Sequence, residues 1–210
     1  GYGLMIEGDY AAAEAMYREA LRSARVGDRP MSIAVSMSGI GQALTYARRN
    51  AEARPHLVES RERFDELNVR PGVITSDVML GLVARDGGDL TAAARHWLAA
   101  LTDPGRPWYD EDDYSTLQYV ASILDDARTA ALLLGAATSA YESTQVQQIA
   151  YVRSDLADTR ARRESELGRE EFGERFRAGG RRTKDEVAAI ATAALDELLA
   201  DAEVSPGARD

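Results

Sequence analysis

Residues 7–21 read EGDYAAAEAMYREAL, and residues 87–101 read GGDLTAAARHWLAAL. Column by column, Gly8 falls with Gly88, Asp9 with Asp89, Ala13 with Ala93, Tyr17 with Trp97, Ala20 with Ala100 and Leu21 with Leu101. Two worn copies complete the series. ARRNAEARPHLVES at 47–60 puts Ala53 and Leu57 in the Ala13 and Tyr17 columns, and LDDARTAALLLGAA at 124–137 puts Ala130 and Leu134 there. The small column steps by 40, 40 and 37 residues, the mark of a repeat built from one supersecondary unit.

Ahead of each motif stands a second marker: Gly1, Gly41 and Gly81, with Gln118 in the fourth copy. Glycine inside a helix costs about 1 kcal/mol relative to alanine, so its return implies a close helix approach. Each unit is expected to be helix, tight Gly-Asp turn, helix: 31–47 with 51–67, 73–87 with 90–102, and 113–125 with 127–143, the first unit keeping only part of its first helix. In the second helix, Ala13, Tyr17, Ala20 and Leu21 share one face. The large column, Tyr17, Leu57, Trp97 and Leu134, is expected to fill the wedge between hairpins. Because no hairpin buries such a stripe alone, the units must stack.

Gly-x-x-Leu in the first helix, Gly-Asp at the turn, then Ala, Tyr/Trp and Ala-Leu in the second resembles the tetratricopeptide repeat (TPR), closely in units one and three and weakly in two and four. The 40-residue spacing is similar to the longer helical repeats of bacterial signal-transduction ATPases and LuxR/MalT-type transcription regulators. AALLLGAATSAYES, followed by RARRESELGREEFGERFRAGGRRTKDEVAAIATAAL, resembles the end of those regulators' repeat domains. The resemblance implies an all-α fold: a right-handed superhelix of TPR-like antiparallel hairpins over 1–144, C-terminal capping helices over 145–203, and a disordered tail, 204–210. It also implies a sensor or interaction domain that communicates with other domains of a parent chain, of which this is an excised piece.

The residues at the C-terminal end support a terminal cap independently. Leu167, Phe172 and Phe176 form a short apolar face, Gly179-Gly180 stops a helix, and Thr183 with Glu186 spells a capping box. Val187, Ile190, Ala191, Ala194, Leu195, Leu198 and Leu199 then keep helical spacing.

Composition narrows the function. A net charge of −10 disfavours direct nucleic-acid binding, and no apolar run approaches a membrane span. The expectation is a cytoplasmic chain. With no Cys and only His56 and His96, neither a metal nor another cofactor is expected, and both histidines are read as structural. The only lysine is Lys184 in GGRRTKD, so no phosphate-cradling loop is present. DEDD at 110–113 is read as a helix start rather than a cation site, and the arginines of 160–163 and 175–184 as partners of interleaved glutamates.

No catalytic residue is assigned. In stacked hairpins the first helices line the concave face, and offsets from the Gly and Leu columns select Gln42, Thr45, Tyr46, Leu82, Arg85, Asp86, Tyr119 and Ser122 as groove residues. This mixture suits a protein, a peptide or a small-molecule inducer. A free-standing TPR adaptor that binds a peptide is the alternative. The shortened first helix is expected to leave Tyr10, Met16 and Tyr17 partly uncovered, a route to homodimers through the N-terminal end.

Overall fold

The computed structural model describes residues 1–105, 111–144 and 147–204, with the backbone alone for 111–113 and 144. Eleven helices are found among them: α1 Tyr2–Glu7, α2 Tyr10–Val26, α3 Pro30–Tyr46, α4 Asn50–Glu66, α5 Arg70–Asp86, α6 Leu90–Thr102, α7 Glu111–Ile123, α8 Ala127–Thr144, α9 Ala150–Leu167, α10 Arg169–Gly179 and α11 Lys184–Val204. There is no strand among the described residues. None of the helices is long and apolar enough to cross a membrane. Val204 still belongs to α11, and the rest of the expected tail, 205–210, lies outside the described residues.

The chain divides into two compact units. The first is Gly1–Arg106 with Ile149–Tyr151, and the second is Pro107–Gln148 with Val152–Asp210. The hairpin of α7 and α8 therefore groups with the C-terminal helices. Residues 103–110 lie between α6 and α7 in the chain, where three residues make each turn from α2 to α6.

In the first unit, α2, α3, α4 and α5 are each 17 residues long. The backbone turns left-handed at Gly8, Asp28, Arg48, Asn68 and Gly88, so helix plus turn repeats every 20 residues, half the period seen in the sequence. Each turn is a Schellman closure. Arg48 N–H donates to Thr45 O at 2.9 Å and Arg49 N–H to Leu44 O at 2.8 Å, and the equivalent pair recurs at the other four turns. Gly-Asp thus has a division of labour. Glycine takes the left-handed residue, and Asp9 and Asp89 cap the next helix by accepting from Ala12 N–H at 3.0 Å and Ala92 N–H at 2.8 Å.

A three-residue link spans about 10 Å, whereas a 17-residue helix is about 25 Å long. Consecutive helices from α2 to α6 pack on one another and must therefore run antiparallel. Turns at 8, 48 and 88 consequently share one edge of the unit, and those at 28 and 68 the opposite edge. The first helices α3 and α5 also touch directly.

Missing side chains make these approaches possible. A Cβ on Gly81 would overlap the Trp97 indole, one on Gly41 the Leu57 side chain, and one on Gly1 the Tyr17 ring. Tyr17, Leu57 and Trp97 of the large column thus lie over the glycine of their own hairpins rather than in the wedge between hairpins, because the shortest path from the second helix crosses the notch in the first. Tyr17 also fills the notch at Gly39, in the next hairpin. Trp97 is fixed further by donating its indole N–H to Val78 O at 3.1 Å. Between hairpins the equivalent contact is Phe64 on Gly72, in a cluster with Ala34 and Val73. Ala13, Ala53 and Ala93 are fully buried.

In the second unit α8 packs on α7 and α10, and α11 on α7 and α8. Here glycine admits backbone rather than side chain: a Cβ on Gly135 would overlap the Phe176 carbonyl, and one on Gly179 the Leu132 carbonyl. Ala130 and Leu134 are buried on the same helix. Gln118 takes the glycine column for a different reason, its buried amide donating to Val152 O at 2.9 Å and Asp155 Oδ2 at 3.1 Å. The capping box forms, with Glu186 Oε2 accepting from Thr183 N–H at 2.8 Å and Thr183 Oγ1 from Glu186 N–H at 3.3 Å.

Gly135→Ala is expected to cost about 1–3 kcal/mol or more, because a backbone carbonyl cannot rotate away from the new methyl. Gly3→Ala, which meets open space within α1, is expected to be neutral or slightly stabilising. Urea unfolding of both variants against the parent chain checks the pair.

Candidate functional site

Three of the eight residues selected by the groove offsets meet in one cluster on the 8/48/88 edge of the first unit. Tyr46 closes α3, and Arg85 and Asp86 close α5 exactly one 40-residue step further on, at the Thr45 and Tyr46 columns. Tyr10 joins them from the start of α2, Arg48 from the α3–α4 turn, and Tyr151 from the Ile149–Tyr151 segment.

The Tyr46 ring lies between two others, 5.9 Å from Tyr10 and 5.4 Å from Tyr151 between centroids. The Arg48 guanidinium sits 4.8 Å above the Tyr151 ring, on its electron-rich face. Asp86 is the electrostatic centre. Its Oδ1 accepts from Arg85 Nε at 3.0 Å and Nη2 at 2.9 Å, and its Oδ2 from Arg48 Nη1 at 3.1 Å and the Tyr151 phenol at 3.0 Å. Arg85 Nη2 also donates to the Tyr151 oxygen at 2.9 Å, while Tyr151 N–H donates to the Tyr10 phenol oxygen at 2.9 Å. That last bond satisfies one of the orphan amides in the first turn of α9.

Arg48 bears a second sign of purpose. It holds φ at +62°, a conformation that suits glycine and is tolerated by Asn68 and Asp28, the side chains at the two opposite turns. A long side chain there carries a conformational cost, offset in part by its contacts to Asp86 and Tyr151. The side chains of Asp86 and Arg85 are only 6% and 11% exposed, so the pair is held out of water with its charges matched. The Asp86 carboxylate, accepting four hydrogen bonds from three side chains, anchors the cluster.

The other groove residues are placed differently. Thr45, Leu82 and Tyr119 have no exposed surface. Thr45 Oγ1 donates to Gly41 O at 2.8 Å along its own helix. Gln42 is half-buried and donates to Ser38 Oγ at 3.1 Å, and Ser122 donates to Tyr119 O at 2.6 Å. Near the N-terminus Tyr2 and Met16 are exposed, whereas Tyr10 and Tyr17 are half-buried, and burial raises the Tyr17 phenol above its ordinary pKa.

His96 and His56 both pack within the first unit. His96 Nδ1 is 3.0 Å from Asp77 Oδ1, a carboxylate almost wholly buried in α5 that also accepts from Arg61 Nε at 2.8 and 2.9 Å. This three-helix staple escaped the sequence reading, although an aspartate inside the apolar run VITSDVMLGLV signalled it. Burial, and then the nearby Arg18 charge, hold the His56 imidazole below its ordinary pKa.

In the second unit a cleft between the α7–α8 turn and α11 is lined by Asp125, Asp126, Glu197 and Asp201. Among the described residues no group of three or more His, Asp or Glu is placed to share a metal ion. The side chains of DEDD lie outside the described residues, though α7 does begin at Glu111. Of the arginines, Arg163 pairs with Glu166 along α9 at 2.8 Å, and Arg182, in the turn before α11, pairs with Glu186 at 3.0 Å. Arg160 stacks over Phe176 at 4.8 Å, and buried Arg163 caps the end of α7 by donating to Ala121 O at 3.1 Å and Leu124 O at 2.6 Å. These tertiary roles replace the simple solvated face read from sequence.

Compared with protein-family models, curated proteins and solved structures, the chain matches none.

Tyr119→Ala is expected to destabilise the chain by about 3–5 kcal/mol, the range for deleting a buried ring. Gln42→Ala should change stability by less than about 0.5 kcal/mol. Chemical denaturation of the two variants separates packing residues from those free to meet a ligand.

Proposed function

We propose that this chain is a non-enzymatic helical-repeat interaction domain of the TPR-like type, its hairpins continuing into a right-handed superhelix, and that it serves as the sensor of a signal-transduction ATPase or LuxR/MalT-type transcription regulator. The observation that carries the reading is the convergence of Tyr10, Tyr46, Arg48, Arg85 and Asp86 on one edge of a regular helical array. Side chains at or beside the three turns of that edge, 8, 48 and 88, meet there, as they do when a repeat scaffold is used for recognition. The regulator-like C-terminal segment supplies the class of parent protein.

The ligand class is a protein partner or a small inducer with an aromatic face and a polar edge. The chain's net charge and the paired arginines argue against nucleic acid. A free-standing adaptor is the second reading, favoured by the fact that a short peptide segment, Ile149–Tyr151, is what contacts the cluster.

The sensor reading is tested in the native gene. Arg48→Ala combined with Asp86→Asn, at unchanged protein level, should reproduce the transcript profile of a deletion of that gene. A profile identical to the parent strain's would overturn it.

A further inference from the structure

Tyr151 is not simply next to the cluster; it is held by every part of it. We infer that the Tyr10, Tyr46, Arg48, Arg85 and Asp86 cluster is a tyrosine-recognition site, that the chain's own Tyr151 is its resident occupant, and that a tyrosine-bearing segment of a partner protein takes the site by displacing Ile149–Tyr151. The inference rests on the reading of this cluster as the partner site and names the chemistry that the site selects.

Three parts of the occupant, its ring, its phenol oxygen and its backbone N–H, are each read by different side chains. Tyr46 stacks on the ring at 5.4 Å between centroids, and Arg48 covers its face at 4.8 Å. Together they require an aromatic side chain. The phenol oxygen accepts from Arg85 at 2.9 Å and its proton goes to Asp86 at 3.0 Å, so both of its hydrogen-bonding roles are used. Phenylalanine would fill the ring site and leave Asp86 and Arg85 each short of a partner, the arrangement by which a site built around a hydroxyl rejects its deoxy analogue. The Tyr10 phenol then reads a backbone N–H at 2.9 Å, which requires a peptide rather than a free phenol. A phosphorylated tyrosine would lose the O–H that Asp86 accepts and set a dianion against that carboxylate, whose other acceptor contacts already engage Arg85 and Arg48, so the site selects the unmodified phenol.

The occupant is suited to exchange. Only the three residues Ile149–Tyr151 belong to the first unit, and the chain on either side of them belongs to the second. The recognition groups, in contrast, sit on α2, α3, α5 and the α3–α4 turn, all inside the regular array. Being tethered, Tyr151 competes at a high effective concentration, so an outside segment meets an occupied site in the resting chain and a vacant one when Tyr151 is removed.

The test uses the full 210-residue chain and, as probe, a fluorescein-labelled synthetic peptide of its own residues 147–156, QQIAYVRSDL, followed by fluorescence anisotropy. Tyr151→Ala is expected to bind the probe at least tenfold more tightly than the parent chain, and adding Asp86→Asn should abolish the gain. Probes in which the tyrosine is replaced by alanine or is phosphorylated are expected not to bind. Should Tyr151→Ala fail to fold, Tyr151→Phe, which keeps the ring, serves instead and should bind the probe at least threefold more tightly than the parent. A folded variant that binds no better than the parent, or equal binding of the alanine or phosphorylated probe, overturns tyrosine recognition. If that happens while the Arg48/Asp86 variant still alters the transcript profile, the sensor reading stands and only the ligand chemistry falls.

Discussion

A side chain set into the notch of a missing one is the contact on which the first unit depends. Trp97 over Gly81, Leu57 over Gly41 and Tyr17 over Gly1 let each second helix lie against its first at a distance that no Cβ would permit. Once that distance is fixed, the 17-residue helices and identical Schellman turns leave little freedom. Each hairpin repeats its predecessor, and Phe64 in the Gly72 notch carries the packing from one to the next. Conformational cost at Arg48 and a buried ion pair at Asp86 can be borne because regular packing on both sides over-determines the backbone.

Repetition is also what makes the cluster. Tyr46 and Asp86 occupy the same column one period apart, on first helices that touch, so a single repeated position contributes a ring from one hairpin and a carboxylate from the next. Arg48 occupies the left-handed residue whose counterparts on the same edge are Gly8 and Gly88. A different residue at one column of a repeat thus adds a charged contact, Arg48 to Asp86 and the Tyr151 ring, to a turn whose backbone matches its counterparts.

The helices, the Gly-Asp turns and the Thr183–Glu186 capping box were legible because each depends on local chemistry repeated in the sequence. The 20-residue turn period was not, since Asp28, Arg48 and Asn68 stand where glycine would have marked it. Phe64 and Gly72 were missed because Gly72 follows Pro71 and resembles a turn residue. Groove offsets pointed to Arg85 and Asp86, which are half-buried, but also to Tyr46, Leu82 and Thr45, which are buried. The reason is that α3 and α5 are enclosed by neighbours on several sides: their exposed residues are Pro30, Met31 and Val35 in the first part of α3 and Pro71 at the start of α5, while the last four residues of α3 are buried and Ala84, Arg85 and Asp86 of α5 are half-buried. Tyr151 could not be found from periodicity at all. Its place depends on a chain segment that returns from far along the sequence.

The notch contact is tested most directly by a double-mutant cycle on Gly81 and Trp97, measured by urea unfolding. With Trp97 present, Gly81→Ala should destabilise the chain by about 1–3 kcal/mol through overpacking. In the Trp97→Ala background the same change should become neutral or stabilising by about 0.5–1 kcal/mol, since alanine is then only a better helix former in open space. Equal destabilisation by Gly81→Ala in both backgrounds would contradict the account, because the glycine would then be needed for some reason other than the ring that fills it.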